Sequence, residues 1–458
     1  MNFLKTFQTL EREKLIDLLI LFSCGLFFWT SISSLLPTLP TYIQDMGATA
    51  QQVALVMSFF AIGLLFSRIW LGKLADDSLK NFLHDSFFNA FFANFFFKLG
   101  RLIFGSLVYY PSRKVIILIG AGVVAIAPIC YFFFNQIPQL MAIRAFHGIS
   151  IAAFTTGYSA LVVDLSPPKQ KGELIGYMSM VVPLGMAIGP AMGGFLQEYT
   201  NYQVLFAVCA GCGLISLILA TQVRELPVKK DVSSNPQKAI LASPRQISRS
   251  FKDLLLDRSF LVPTLVLLLI GCLFGTIVTF LPLHIRDLGL NFNVGFFYTG
   301  TAIASFSVRF FTGRASDRYG RGRFISLSLC LYIIAMILLT FAHSPQWLIV
   351  AALFEGAGAG MLIPIMIALI SDRCSFWERG KVFSVCVSGF DVGVAVGGAI
   401  LGSLFLDFGY RFLFAITALM ATIALVIFTT LSNKDISNSW KFAWGNIGDF
   451  HAIKAKDS

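Results

Sequence analysis

Four ionisable side chains stand inside long apolar stretches of the sequence: Arg144 and His147 in one, Glu355 in a second and Asp391 in a third. Each is costly to hold in hydrocarbon, so such groups are normally retained at an ion or substrate pathway or in an ion pair. A carboxyl there can take up and release a proton as its cavity alternates between two aqueous sides, which makes Glu355, the deepest acid, the expected principal coupling group. A static pair of Arg144 with an acid is the plain structural alternative. Trp29, with Thr30, Ser31, Ser33, Ser34, Thr276 and Thr279, adds an aromatic and hydroxylated lining that suits amphiphilic solutes better than sugars.

Catalytic chemistry finds no support. Cys209 and Cys212 form a C-x-x-C inside an apolar run without a second pair, and the five histidines show no ligand spacing. Neither metal nor cofactor is expected. With no phosphate loop and no nucleophile motif, the chain reads as a non-enzyme.

Groups at such depth need elements that span a bilayer. Of 458 residues 56% are hydrophobic and 13% charged, about half the charge of a soluble domain. A water-soluble chain of this length requires more polar surface, and a membrane accommodates the surplus. A spanning helix takes about 20 apolar residues. Twelve such runs lie at 15–38, 52–72, 115–134, 139–163, 174–196 and 202–222, then at 260–283, 294–312, 324–342, 347–370, 382–405 and 410–431. The first leads directly into the second with no small-residue cleavage site behind it, so it reads as a retained helix rather than a signal peptide.

Charge orients the runs. Of 35 Lys and Arg, three (Arg68, Arg144, Arg309) lie within runs and two (Arg286, Arg411) in odd-numbered connections, leaving 30 for the termini and even-numbered connections. Positive residues collect on the cytoplasmic side, so both termini are expected there. The net charge of +11 reads as this topology signal against anionic lipid, not as nucleic-acid binding. Arg68 and Arg309, near run ends, are expected to snorkel or to join a gate.

The sequence repeats itself. Leu39 to Gly47 (LPTYIQDMG) matches Leu281 to Gly289 (LPLHIRDLG) at an offset of 242; Arg68, Gly72 and Asp76 recur as Arg309, Gly313 and Asp317 at 241; Gly148, Asp164 and Gly172 recur as Gly356, Asp372 and Gly380 at 208. The halves are parallel six-helix repeats, the first carrying 33 extra residues, and such transporters bind substrate between the halves. The expected fold is all-α: twelve transmembrane helices in two pseudo-symmetric six-helix bundles. The first bundle takes 1–222 and the second 259–432, joined by a basic linker at 223–258 and followed by a polar tail at 433–458.

Gly313 to Arg323 (GRASDRYGRGR) resembles the G-x-x-x-D-R-x-G-R loop signature of the major facilitator superfamily. Gly185 to Gly194 (GMAIGPAMGG) is similar to the G-x-x-x-G-P-x-x-G-G element of its drug/proton antiporter branch, as Arg144 with Gly148 is to that branch's R-x-x-x-G. The resemblance implies a cytoplasmic gating loop built from Gly313, Asp317, Arg318, Gly320 and Arg321, its Asp capping a helix and pairing with Arg in one state. In the first half, Gly72 and Asp76 begin the signature, but Arg113 follows only after a Phe-rich insertion at about 78–111, read as an interfacial segment on the inner leaflet, with a re-entrant or disordered loop as the alternative. Gly185, Gly189, Gly193 and Gly194 permit close helix contact and Pro190 bends the helix. Gly393, Gly397, Gly398 and Gly402 repeat the device, either as packing alone or as a seal.

The function expected is proton-antiport export of small amphiphilic compounds by alternating access, in a bacterial-type inner membrane, by a monomer whose partners are its small-molecule substrate, protons and the lipid bilayer. A metabolite or siderophore exporter, a proton symporter, and a transporter-like sensor or scaffold that no longer cycles are the alternatives.

Overall fold

Twelve long helices run back and forth in the computed structural model, which describes residues 11–76, 113–167, 171–224, 251–374 and 379–453. The Phe-rich insertion and most of the linker lie outside the described residues. In the first half are α1 (Arg12–Asp45), α2 (Ala50–Asp76), α3 (Arg113–Phe133), α4 (Ile137–Leu165), α5 (Lys171–Met178 continued by Val181–Tyr199) and α6 (Tyr202–Gln222). In the second are α7 (Arg258–Asp287), α8 (Val294–Tyr319), α9 (Arg321–Thr340), α10 (Pro345–Arg373), α11 (Arg379–Ala395, a π-turn at Val396–Ile400, then Leu401–Phe405) and α12 (Tyr410–Leu431).

Eleven of these are long and apolar enough to cross a membrane. The other, α8, has 26 residues, about 39 Å of helix at 1.5 Å per residue, but carries Thr299, Thr301, Ser305 and Ser307 along its length. Helix satisfies every backbone group internally, which is what hydrocarbon demands.

The repeat is visible in the packing. In the first half α1 packs on α5 and α6, and α4 on α2 and α3; in the second, α7 packs on α11 and α12, and α10 on α8 and α9. Each half has its own apolar core, one centred on Phe28, Phe154 and Tyr158 and the other on Phe297, Tyr332 and Phe428. A further core draws Leu39, Ile43 and Val53 from the first half together with Val278, Phe280 and Leu401 from the second.

Both described chain ends lie at one end of the helices, with Arg113, Arg224, Arg258, Arg318, Arg321, Arg373 and Lys434. The opposite end holds Arg286 and Arg411. We call these the basic end and the far end.

The residues after α12 are not a loose tail. A helix at Ile436–Ala443, α13, is capped by Asp435, whose carboxylate accepts from the Asn438 backbone N–H at 2.8 Å. It packs on α9 and α12.

Candidate functional site

The two halves meet along α2 with α11, α5 with α8, and α1 with α7. At the far end the repeated LP motif brings its two copies together. Asp45, ending α1, receives Arg286 of α7 with both nitrogens, Nη1 to Oδ1 at 2.6 Å and Nη2 to Oδ2 at 3.2 Å. The Tyr202 hydroxyl donates to the same carboxylate. Gln197 joins by donating to Tyr202 Oη at 3.2 Å and Thr41 Oγ1 at 2.8 Å. Burial pushes the Asp45 carboxyl up, but its hydrogen bonds to Arg286 and Tyr202 outweigh this and hold it ionised at neutral pH. Asn293, capping α8, donates to Gly194 O at 3.0 Å and to Glu198. The far end is therefore sealed across the bundles. Sequence reading counted Arg286 only as a loop charge.

The glycine-rich elements divide their work. On α5, a Cβ at Gly185 would lie 2.3 Å from Trp29 Cβ, at Gly189 2.6 Å from Thr30 O and at Gly193 2.2 Å from Ser34 O, so these three bring α5 onto α1 within the bundle. Gly194 instead faces Asn293 Oδ1 at 2.5 Å and Gly295 Cα at 2.8 Å, across the interface. On α11, Gly393 and Gly397 meet α7 backbone at Leu268 O and Cys272 O, Gly398 meets Ser58 Oγ of α2 across the interface, and Gly402 sits between the Phe280 ring of α7 and Ala54 of α2. Packing and sealing are thus shared by neighbouring glycines on different helix faces. Pro190 lies inside α5, between Gly189 and Gly193.

Arg68 does not snorkel. It crosses from α2 to Asp391 of α11, Nη2 to Oδ2 at 3.1 Å, with the Asp391 side chain 8% exposed. This ion pair joins the halves on the basic-end side of the sealed region.

Glu355 is buried between helices of its own half. Thr301 of α8, whose hydroxyl donates to Ala352 O at 3.3 Å, stands beside it with Tyr298 of α8 and Tyr332 of α9. Its Oε2 has no partner, and it forms no ion pair among the described residues. Sequence reading put it on a cavity-lining helix; its described neighbours are all of the second bundle. The equivalent pocket in the first bundle holds His147, edge-on to Phe60 with ring centroids 5.6 Å apart and neither ring nitrogen partnered. A shared contact fixes the equivalence: Gly148 packs on Phe60 O and Gly356 on Thr301 O, each at 2.1 Å for a built Cβ.

Arg144, one turn from His147, lies over the Phe60 ring at 4.5 Å and beside Tyr131. No acid pairs with it among the described residues, so the static Arg144–acid pair is not what the structure shows. Trp29 lines a crevice with Phe154, Tyr158, Ser159, Met178 and Val182, between α1, α4 and α5.

At the basic end, α8 runs through Asp317 and Arg318 to Tyr319, and the signature's turn shrinks to Gly320, whose φ of +91° favours glycine. Arg321 then starts α9 and grips Asp372 at the end of α10, Nε to Oδ2 at 2.8 Å and Nη2 to Oδ1 at 3.2 Å. Its repeat counterpart Arg113 lies 3.7 Å from Asp164 at the end of α4. The insertion leaves this anchor in place. Gly72 and Asp76 fall in α2 and Gly313 and Asp317 in α8, but the surroundings of their side chains lie outside what is described.

The profile of the Major Facilitator Superfamily matches residues 85–316 and 292–444. The chain belongs to this superfamily and is a membrane transporter rather than an enzyme. It is 26% identical over 395 residues to the multidrug resistance protein MdtG of Serratia proteamaculans, covering 85% of this chain and 87% of that one. To the MdtG of Klebsiella pneumoniae it is 26% identical over 413 residues, 88% and 90% of the two chains. Among solved structures, a transporter of the POT family in complex with a peptide conjugate superposes with a TM-score of 0.67 at 15% identity, over 92% of this chain and 97% of that one. The nucleoside transporter NupG superposes at 0.66 and 13%, over 90% and 98%. Those two show the fold alone.

Proposed function

We propose that the protein exports small amphiphilic compounds in exchange for protons, by alternating access, with its basic end in the cytoplasm. The MdtG relatives are named multidrug resistance proteins, and export is how a transporter would confer resistance. The observation that carries the coupling is the ion pair of half-buried Arg68 with buried Asp391, because it joins the two bodies that must separate. A protonated Asp391 no longer holds Arg68 by charge, so proton uptake loosens the α2–α11 contact and proton release restores it. Glu355, with no cation beside it, is the second proton carrier and acts within its own bundle on the packing of α8, α9 and α10. The far-end network around Asp45 and Arg286 describes the state closed to the outside, and it must open for release. The retained Arg113–Asp164 anchor supports a cycling protein over a scaffold.

Flux into proteoliposomes under an imposed pH gradient tests this reading. Accumulation of an amphiphilic substrate should follow the gradient and vanish when a protonophore collapses it. Uptake indifferent to the gradient refutes proton coupling.

A further inference from the structure

The segment after α12 carries a surface away from the contacts between the two halves. Its inner face is tightly held. The Arg373 side chain, fully enclosed, reaches Asp449 with Nε at 2.7 Å and Nη2 at 3.0 Å, and donates to Ser259 O and Ser432 O, both at 2.9 Å. Phe442 packs on Phe428 of α12. Gly322, in the first turn of α9, lies so close that a Cβ there would meet Phe442 O at 2.2 Å. The segment is thereby fastened to the end of α10 and to the signature turn.

Its outer face is apolar and uncovered. Ile436, Trp440 and Trp444 are spaced by four residues, so they form one stripe along α13, and they are 66%, 56% and 38% exposed. The two indoles contact each other with centroids 5.8 Å apart. Lys441 is exposed next to Trp440, and Lys434 stands 5.7 Å from the Phe450 ring.

We propose that this stripe is a docking surface for the anionic headgroup region of the leaflet at the basic end, tying the signature turn of the second half to the lipid. Three features favour lipid over a protein partner. Trp with neighbouring Lys is the composition of membrane-interface anchors, the rings lying at headgroup depth and the cations meeting anionic lipid. The stripe begins five residues after α12 ends, and α12 itself exposes Leu419, Ile423 and Val426. An eight-residue helix is also far smaller than the roughly 800 Å² per partner that a stable protein interface buries.

The test is tryptophan quenching in full-length protein in nanodiscs of phosphatidylcholine, with or without phosphatidylglycerol. The signal is the difference between the parent and Trp440→Phe/Trp444→Phe, with each single replacement as a check on folding. Phosphatidylcholine brominated near the headgroup should remove most of this difference signal, while aqueous acrylamide should leave most of it. Bromine quenching should rise when phosphatidylglycerol is included, and Lys441→Gln should reduce that rise. A signal quenched by acrylamide and untouched by brominated lipid overturns the proposal, because the stripe then faces water. Shielding from both quenchers overturns it as well, since protein then covers the face.

Discussion

Asp45 and Arg286 close a two-pronged ion pair between the ends of α1 and α7, on the two copies of one repeated sequence motif. Both side chains are partly exposed, 44% and 39%, and ordinary exposed pairs contribute only ~0.2–1 kcal/mol. Its bidentate geometry and its place at the rim matter more than that energy. Asp45→Asn should shift the protein towards a state open at the far end, measurable as faster labelling of a cysteine placed at Ile285, which is buried beside the network. Asp45→Arg combined with Arg286→Asp should slow labelling again. Equal labelling in all three proteins contradicts a sealing role.

Because the pair needs an ionised Asp45, its contribution has a defined pH sense. The folded-state pKa of Asp45 is lowered, so the seal's contribution is present above the ordinary aspartate range and is lost as pH falls through the lower folded value. Labelling of a cysteine at Ile285 should therefore rise only in strong acid. A transition near neutral pH in the parent, and not in Asp45→Asn, contradicts this assignment.

The glycine division predicts different failures for neighbouring residues. Gly193→Ala drives a methyl into Ser34 backbone, which cannot move aside cheaply, and overpacking of this kind costs about 1–3 kcal/mol; a drop in melting temperature and in yield of folded protein is expected. Gly194→Ala meets Asn293 Oδ1 and the Gly295 backbone of the other half, so its clash is relieved by parting the halves at the far end rather than by unfolding a bundle. It should fold, melt near the parent temperature and label faster at the far end. Identical melting of the two variants argues against the division.

The insertion at 78–111 interrupts the first signature, yet Arg113 keeps its place by Asp164. Deleting about 33 residues there should leave the membrane topology intact and keep or raise transport, as read by flux and by accessibility of engineered cysteines. Loss of folded protein after the deletion shows instead that the segment belongs to the bundle.

How far the sequence could be read depended on the range of the interaction. Spans were visible because hydrocarbon imposes about 20 apolar residues on each, and the repeat offsets of 241 and 208 already aligned Arg113 with Arg321 and Asp164 with Asp372. The end of α8 was not visible, since Asp317, Arg318 and Tyr319 read as a polar loop although helix continues to Gly320. Arg68 with Asp391 escaped because nothing local encodes which residues of α2 and α11 lie level. The folded segment after α12 escaped for the same reason: its key contact pairs Arg373 with Asp449, 76 positions apart, while the four-residue spacing of Ile436, Trp440 and Trp444 was there to be seen.

Coupling is the central claim, and its direction is measurable. In proteoliposomes with a pH-sensitive dye inside and no imposed gradient, substrate entering down its concentration gradient should drive protons out, so the lumen becomes alkaline. Glu355→Gln should abolish this while leaving substrate exchange, and Asp391→Asn should uncouple substrate movement from protons. Alkalinisation by the parent, lost in both variants, is the predicted result; substrate entry with no change in lumenal pH, or with acidification, would contradict the account.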